Sequence, residues 1–560
     1  MMLLSAAFLA LKLSLLGTYA AMVVRTDNHE HPSPSTTTTG SDRYINLHIV
    51  NQELAPDGFK RSTVLAGESP SGGSFPGPLI TGTKGDRFII NVTDQLTDPT
   101  MDRSTSIHWH GLFQKTTNYA DGVAFVSQCP IVTNHSFVYD FRVPDQAGTF
   151  CSFVDDSFHL FEGTTLIYRY GDGLRGPLII YDPQDPHKDL YDVDDESTVI
   201  TIADWFHQTS LQLLAAKRAP DADATLINGK GRFVGGPDVP LTVIQVDQGK
   251  RYRFRLISMS FDAFHGFSID NHNLTIIEVD GINTNPLTVT FIELYPAQRY
   301  SFVLDASQKV DNYRIRALAS SGVGLQNFTG GINSGILRYT GAPDEEPTSS
   351  ALSSSEIIAF HEANLHPAPS ENPGAPGLPY PGGADIVLNL NLGFNAGNVT
   401  FSINDTSFVP PSVPVLLQIL SGAQDAHDLL PKGGVITLER NKVVEVNLIG
   451  GNAPGGPHPF HLHGHAFDVI KTFDSPDYNF VNPIRRDVTP VAQGGLTVFR
   501  FVTDNPGPWF LHCHIDLHLA LGLAVVFAED TRDTKVDDPV PLGWKELCPI
   551  YDSLTPDQLR

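Results

Sequence analysis

The chain is 560 residues long, with 41% hydrophobic and 18% charged residues. It is therefore long enough for about three folded domains, and its composition excludes an intrinsically disordered protein. Acidic residues number 62 against 37 basic ones, for a formal net charge of −25. A surface this acidic argues against nucleic-acid partners and against binding to anionic membranes. The 48 glycines and 41 prolines favour many short strands and turns over long helices.

The amino terminus predicts export from the cell. Residues 1–21 form a short apolar stretch that ends in small residues near Ala20, and we expect this stretch to be a signal peptide. No other stretch approaches the ~20 apolar residues of a membrane helix. We therefore expect a secreted, extracellular glycoprotein, which agrees with six Asn-x-Ser/Thr sites: Asn91, Asn134, Asn273, Asn327, Asn398 and Asn404.

Runs rich in β-branched and aromatic residues, separated by turn residues, recur along the whole chain. Alternation of apolar and polar residues in these runs predicts strands of packed sheets. Two breaks divide the runs, a short one near 181–186 and a longer segment at 341–381 that is rich in proline, serine and glutamate. We therefore predict an all-β protein of three β-sandwich domains, at 42–185, 186–345 and 346–560.

Three histidine clusters lie in the predicted first and third domains. They read His108-Trp-His110, then His458-Pro-Phe-His461-Leu-His463, then His512-Cys513-His514 with His518 four residues further on. A single His-x-His is more often an ordinary surface or hydrogen-bonded pair of histidines. The two denser motifs, at 458–463 and 512–518, are hard to explain by chance when they occur in one chain. Neutral imidazole is the commonest metal ligand in proteins, so the clusters predict a metalloprotein. His465 continues the two-residue spacing of His461 and His463, and we interpret it as a structural residue.

The spacing of these residues indicates their geometry. Residues i and i+2 of a strand point to one face, so the two histidines of each His-x-His pair can address one metal cluster. Cys513 then points to the opposite face, where His458 and His518 complete the His₂Cys set of a blue-copper centre. Zinc also binds cysteine and histidine, but three clusters offer more ligands than one tetrahedral zinc site uses.

These motifs, with further stretches at 106–114, 120–122, 143–150, 172–177 and 510–529, resemble those of fungal laccases, which are multicopper oxidases. The resemblance extends from about residue 44 to residue 552. It implies three cupredoxin-like β-sandwich domains and four coppers. It also implies an enzyme that oxidises phenolic or aryl-amine donors one electron at a time and reduces O₂ to water. We expect small molecules to be its only partners and the chain to be a monomer.

The resemblance assigns a role to each candidate site residue. The type 1 copper ligands are His458, Cys513 and His518, with Leu523 at the non-coordinating axial position; the type 2 ligands are His108 and His461; and four type 3 ligands are His110, His463, His512 and His514. A donor is expected to dock near His458, beside Asp262, the carboxylate of the substrate pocket. Asp121 matches an acidic residue that helps to deliver protons. The alternative interpretation of Asp262 is a solvated loop residue, and that of Asp121 is a residue that forms a turn.

One motif of the family is missing from this chain. An aromatic-rich His-Ser-His stretch should begin at residue 151, after Gly148-Thr-Phe150, but residues 151–170 follow another pattern and contain only one histidine, His159. Two type 3 ligands are therefore unaccounted for. A misassigned exon boundary, which we favour, and true divergence both explain an abrupt break with intact flanks. We predict that the chain as written binds type 1 copper but reduces O₂ poorly.

Four cysteines allow two disulfides in three pairings, but a thiolate ligand at Cys513 leaves one disulfide and one spare thiol. The resemblance implies that Cys129 pairs with Cys548 and that Cys151 is the spare thiol. A second disulfide of the family is absent at both ends, because Gly171 and Phe261 occupy its positions.

Two other functions compete with phenol oxidation. An oxidase of metal ions such as Fe²⁺ needs carboxylates around the type 1 histidines, and no clear set lies near His458 or His518 in the sequence. A one-copper electron carrier, or a copper-binding remnant, becomes the alternative if the cluster that reduces O₂ is incomplete.

Overall fold

The computed structural model describes residues 40–559, except 154–158, 162–163, 167–168, 217, 219, 323–327, 354, 359 and 372–373. Of residues 153, 159–161, 164–166 and 169 it describes the backbone alone. The predicted signal peptide and the glycosylation site at Asn327 lie outside the described residues.

The first part of the chain forms two main sheets. In the strand at 87–95, burial alternates residue by residue, with Phe88, Ile90 and Val92 buried, as the apolar pattern requires. The strands are β1 (Asp42–Leu54), β2 (Arg61–Ser69), β3 (Gly72–Ser74), β4 (Ile80–Thr83), β5 (Arg87–Gln95), β6 (Ser104–Thr105), β7 (His108–His110), β8 (Ile131–Val132), β9 (Ser136–Arg142), β10 (Gly148–Phe153), β11 (His159–Phe161), β12 (Thr164–Leu166) and β13 (Arg175–Tyr181). The main sheets have the orders β3-β2-β1-β5-β9 and β4-β13-β10-β7.

The middle part repeats this architecture with longer strands. They are β14 (Val199–Trp205), β15 (Ala224–Ile227), β16 (Val243–Val246), β17 (Arg251–Ser258), β18 (His265–Ile269), β19 (Leu274–Val279), β20 (Ile282–Val289), β21 (Ile292–Leu294), β22 (Arg299–Asp305), β23 (Asn312–Ala319) and β24 (Ser334–Tyr339). The two sheets have the orders β15-β14-β17-β22-β19-β20 and β16-β24-β23-β18-β21. Their facing sides bury a continuous layer of aliphatic and aromatic residues.

The last part forms the third pair of sheets. Its strands are β25 (Ile386–Asn395), β26 (Thr400–Ile403), β27 (Val435–Leu438), β28 (Val443–Ile449), β29 (His458–Leu462), β30 (Phe467–Lys471), β31 (Ile484–Arg486), β32 (Val488–Val491), β33 (Leu496–Val502), β34 (Gly507–Cys513) and β35 (Ala524–Glu529). The sheets have the orders β26-β25-β28-β33-β30-β31 and β27-β35-β34-β29-β32. The all-β prediction with three β-sandwiches is confirmed, while the exact boundaries between them stay a prediction.

The helices of the described residues are short and lie outside the sheets. They are α1 (Arg169–Asp172), α2 (Ser210–Ala216), α3 (Val415–Leu420), α4 (Asp516–Ala520), α5 (Thr534–Asp537), α6 (Leu542–Asp552) and α7 (Pro556–Leu559). Helix α6 packs Trp544 and Leu547 into the core of the first sandwich. The expected disulfide between Cys129 and Cys548 is confirmed, and it ties the same helix to that sandwich. Across the described ranges, no helix is long and apolar enough to span a membrane.

The segment at 341–381, the longer of the two breaks between the predicted domains, is packed against its neighbours. Its Leu365 belongs to the core shared by the second and third sandwiches. Glu362 Oε2 lies 3.1 Å from Arg486 Nη1, and both side chains are buried. The segment therefore helps to join the second sandwich to the third, and its proline-rich composition does not make its described part a loose tether.

Candidate metal centres

The first candidate centre brings together two imidazoles and one thiol. His458 begins β29, Cys513 ends β34, and His518 lies on α4 just beyond. The Cys513 Sγ is 3.6 Å from Nδ1 of His458 and 3.7 Å from Nδ1 of His518, and the two nitrogens are 3.1 Å apart. The structure thus assembles the His₂Cys set that the sequence predicted.

The surroundings of this set are apolar. Leu523 is fully buried beside it, and its backbone links two members, because its N–H donates to the His518 carbonyl and its own carbonyl accepts from Cys513 N–H. Burial lowers the pKa of His458 to about 4 and raises the pKa of the Cys513 thiol. Burial therefore disfavours both imidazolium and a bare thiolate, and a cation is what stabilises the thiolate. A soft sulfur with two imidazoles fits copper.

The second candidate centre contains six histidines. β7 supplies His108 and His110, the end of β29 supplies His461 and His463, and the end of β34 supplies His512 and His514. The rings of His108 and His463 stack at 3.9 Å between centroids, and those of His110 and His461 stack at 3.8 Å. As the i, i+2 spacing predicts, the two rings of each pair lie on one face, 4.7–5.7 Å apart.

Hydrogen bonds at the outer nitrogens set the tautomers of these rings. Nδ1 of His108 donates to the Asp121 carbonyl at 2.8 Å, and Nδ1 of His461 donates to the Asp487 carbonyl at 2.9 Å. Nδ1 of His512 donates to the Cys513 carbonyl at 3.1 Å. A neutral ring that donates through Nδ1 carries its lone pair on Nε2, so these rings turn their lone pairs inward.

The inward nitrogens fit a metal cluster. Nε2 of His461 is buried and has no hydrogen-bond partner within the described part of the chain. Nε2 of His463 faces Nε2 of His512 at 3.1 Å. Burial and the neighbouring rings hold the pKa of His461 and His463 well below the usual value, and that of His514 at about 3. Facing lone pairs on neutral rings need cations between them, and the imidazole donor set suits copper.

Two carboxylates lie next to the six-histidine cluster. Asp121, which the sequence singled out, is fully buried, and its Oδ2 accepts from His463 Nδ1 at 3.0 Å. Asp487 was missed: its Oδ1 is 3.4 Å from His110 Nε2. Burial raises the pKa of Asp487 to about 6. Its neighbours in sequence gave no sign of this role, because the contact is made across the fold.

The missing His-Ser-His motif of the family would begin on β10, the strand beside the first histidine motif. β10 pairs with β7 so that Cys151 lies opposite His110 and Phe153 opposite His108. Cys151 is a buried free thiol, and burial holds its pKa well above the usual value. The side chain of His159, the substitute ligand considered from the sequence, lies outside the described residues. Among the side chains that are described, the cluster holds six imidazoles where the resemblance expects eight.

A cavity of about 270 Å³ opens beside the first centre. Its wall includes His518 and Asp262, with Phe394, Phe401 and Leu521. His458 is fully buried and does not line it, so the expected position of donor docking is revised from His458 to His518. The sequence could not separate the two, because their exposure depends on the short helix α4 that carries His518 to the cavity. Burial and the negative charges of Asp204 and Asp221 raise the pKa of Asp262 to about 7.

His465 contributes to neither centre. Its Nε2 lies 2.9 Å from Oε2 of Glu529, and both side chains are buried. His465 is therefore held in a buried hydrogen-bonded contact with Glu529, in agreement with the structural role that we inferred from the sequence.

Comparison with known proteins agrees with the geometry of both centres. Three family models, each described as multicopper oxidase, match residues 50–185, 196–342 and 408–533. Laccase-4 of Trametes villosa is 54% identical over 516 residues, covering 92% of this chain and 94% of that protein. The laccase of Pycnoporus cinnabarinus is 55% identical over 519 residues, covering 92% and 95%.

Solved structures show the same fold. The laccase from Botrytis aclada is 30% identical, with a TM-score of 0.77 over 94% of this chain and 95% of that one. Fet3p, a multicopper oxidase that functions in iron import, is 26% identical, with a TM-score of 0.76 over 91% and 95%. The chain therefore belongs to the multicopper oxidase family. Within that family, the identities place it among the fungal laccases, as a copper enzyme of the laccase type.

Proposed function

We propose that this enzyme oxidises small phenolic or aryl-amine donors, one electron at a time, at the cavity beside His518, and that O₂ is the final electron acceptor. One observation carries the proposal. Cys513 belongs to the first centre, while His512 and His514, its neighbours on either side, belong to the second. Adjacent residues of one strand end therefore give the two centres a covalent connection.

We propose the following copper ligands. Type 1 copper is assigned to His458, Cys513 and His518 with axial Leu523, type 2 to His108 and His461, and type 3 to His110, His463, His512 and His514. Copper bound by these residues supplies the one-electron redox chemistry of the reaction. The number of coppers in this chain is expected to fall below four, because two type 3 ligands are unaccounted for.

The residues around the cavity have distinct roles in handling the donor. Phe394, Phe401 and Leu521 exclude water from an aromatic ring and pack against it. His518 presents its imidazole edge at the cavity wall. A phenol becomes a much stronger acid as it loses an electron, and the carboxylate of Asp262 accepts that proton. Asp262 is therefore the proposed general base, and its ionised form is the active one.

Asp121 acts through the histidines that it orients. Its backbone carbonyl accepts from His108 Nδ1 and its carboxylate accepts from His463 Nδ1, so it fixes the tautomers of both rings. Burial raises the pKa of Asp121, which favours a proton-holding role next to the cluster. We propose that it supplies protons during O₂ reduction, as the resemblance implies.

Oxidation of Fe²⁺ has less support. Asp262 is the one carboxylate among the described residues that line the cavity. A hard cation is bound by several oxygen ligands, whereas the rest of this wall is mostly apolar. The proposal further includes secretion and glycosylation, on the strength of residues 1–21 and the six acceptor sites. The monomeric state stays a prediction.

The proposal is tested by measuring copper per chain and the visible and EPR spectra, together with O₂ uptake during oxidation of a phenol. An intense blue thiolate band with fewer than four coppers and slow O₂ uptake is expected. Four coppers per chain and rapid O₂ uptake would contradict the predicted shortage of copper and the predicted slow reduction of O₂. A blue band without any phenol oxidation would favour the one-copper carrier, and faster use of Fe²⁺ than of phenols would favour the metal-ion oxidase.

A further inference from the structure

The cavity beside His518 has one cationic side chain among its described residues, that of Arg218. Arg218 follows α2 and is exposed, so it lies on the solvent side of the cavity. Within the part of the chain that the structure describes, Arg218 has no hydrogen bond or ion pair, although Asp262 lines the same cavity. An arginine without a carboxylate partner, in a wall built mainly of apolar side chains, is available to a ligand.

The charge of the whole protein makes this arginine unusual. With a net charge of −25, the surface repels anions on average. A guanidinium in the lining of the cavity places a positive charge beside the entering donor. Guanidinium is also the side chain best suited to carboxylates, because its parallel N–H groups bind both oxygens in one plane.

The cavity therefore presents three polar side chains to an aromatic donor. Asp262 and His518 serve the hydroxyl group that is oxidised, the apolar wall takes the ring, and Arg218 remains for a second substituent. We propose that Arg218 makes the cavity selective for phenolic donors that carry a carboxylate, with 4-hydroxycinnamates as the type. This inference rests on the proposed function, because it names a donor class for the same cavity.

Equilibrium binding to the copper-loaded protein tests the inference without turnover. The probes are 3,4-dimethoxycinnamate, which lacks the phenolic hydroxyl, and its uncharged methyl ester. The measured quantity is the ratio of the ester's Kd to the acid's Kd, for the unchanged protein, Arg218→Gln and Arg218→Lys. Arg532→Gln is the matched control, because it removes the same charge from an exposed arginine outside the cavity.

We expect Arg218→Gln to lower this ratio by about five- to tenfold, which is less than a buried charged hydrogen bond gives because Arg218 is exposed. The affinity for the ester should hardly change, Arg218→Lys should retain part of the selectivity, and Arg532→Gln should match the unchanged protein. An equal ratio in Arg218→Gln and Arg532→Gln would overturn the inference.

A kinetic comparison separates this inference from the proposed function. The oxidisable pair is 4-hydroxy-3-methoxycinnamate and its methyl ester, compared by kcat/KM. If the binding ratio depends on Arg218 but neither donor is oxidised, the proposed function fails while the anion selectivity stands. If both donors are oxidised and the ratio of their kcat/KM values is the same with and without Arg218, the selectivity fails while the function stands.

Discussion

The guanidinium of Arg299 donates two parallel hydrogen bonds to the carboxylate of Asp487, each 2.6 Å long, and both side chains are buried. Arg299 begins β22 of the second sandwich, and Asp487 lies between β31 and β32 of the third. The carbonyl of Asp487 also accepts from His461 Nδ1. The orientation of a proposed copper ligand therefore depends on an ion pair that joins two sandwiches.

Asp487→Asn is expected to weaken both the fold and the six-histidine cluster. The change leaves Arg299 buried with a neutral partner, and we expect a loss of about 3 kcal/mol in the free energy of unfolding. This is the lower end for a broken buried pair, because Asp280 remains 3.6 Å from Arg299. Denaturant unfolding measures the loss, and copper analysis should show less metal in the cluster while the blue band is retained.

The matched control is Asp140→Asn, which breaks a similar two-bond pair with Arg87 at the surface. About a third of each side chain is exposed there, so the change should cost less than about 1 kcal/mol. Equal losses in the two variants would show that burial of the Arg299 pair does not matter.

The sequence identified the clustered histidines and Asp121, but not the Arg299–Asp487 pair that orients His461. The spacing of His108 with His110 and of His512 with His514 fixes which rings share a face, because strand geometry is local and has a period of two. Asp487 and Arg299 are 188 residues apart. Their pairing depends on how the sandwiches pack, and no local pattern in the sequence encodes it.

Exposure within a centre was equally out of reach of the sequence. The sequence pattern presents His458 and His518 as two equivalent imidazole ligands, and it does not show which of them reaches the cavity. Only the position of α4, just after β34, brings His518 to the cavity and leaves His458 behind it.

Cys513→Ser is expected to abolish the blue band, and Cys151→Ser to leave it unchanged. Both thiols are buried and both have a raised pKa, so neither forms a thiolate without a cation. Among the described side chains, two imidazole nitrogens lie near the sulfur of Cys513, at 3.6 and 3.7 Å, and none near that of Cys151. Visible absorption of the copper-loaded variants measures the outcome, and loss of the band in Cys151→Ser would implicate that thiol in copper binding.

Leu523→Met is expected to lower the reduction potential of the blue centre. At the proposed axial position Leu523 has no donor atom, whereas the thioether of methionine would add a weak ligand that favours the oxidised metal. Leucine and methionine have similar volumes, so the free energy of unfolding should change by less than about 1.5 kcal/mol. A redox titration of the blue band measures the potential. Leu519→Met, a buried change on α4 four residues before Leu523, should leave the potential unchanged.

Asp262→Asn is expected to change how stability and activity depend on pH. The pKa of Asp262 is raised to about 7 in the folded protein, from an ordinary value of 3.8. Between these values the unfolded chain has lost the proton that the folded chain keeps, so stability falls as pH rises through this window. Above pH ~7 the variant should have a higher melting temperature than the unchanged protein. Below pH ~4 the ionisation of Asp262 should cause no difference in melting temperature between the two proteins.

Activity provides the second readout for Asp262. The ionised carboxylate is the proposed base, so kcat/KM for a phenol should fall as pH drops below about 7. In Asp262→Asn this fall of kcat/KM at low pH should disappear, and kcat/KM at neutral pH should be lower than in the unchanged protein. Ferrocyanide gives up an electron without a proton, so its oxidation should respond little to the change. An equal loss for ferrocyanide and the phenol would argue against proton transfer to Asp262.

Gly171 packs against Phe261 at the two positions where the resemblance implies a second disulfide. A Cβ atom on Gly171 would lie 2.9 Å from the Phe261 ring and 2.4 Å from Ser210 Oγ. Phe261 is buried, and its ring fills the space beside Gly171. Gly171→Ala is therefore expected to cost about 1–3 kcal/mol through overpacking.

Phe261→Leu removes the ring from this contact and should cost about 1 kcal/mol or more by itself. Because the smaller side chain makes room for the added methyl group, the double variant should be more stable than the sum of the two single losses. Denaturant unfolding of the unchanged protein, the two single variants and the double variant measures the four free energies on one scale. Strict additivity would show that the methyl group is opposed by Ser210 and not by Phe261.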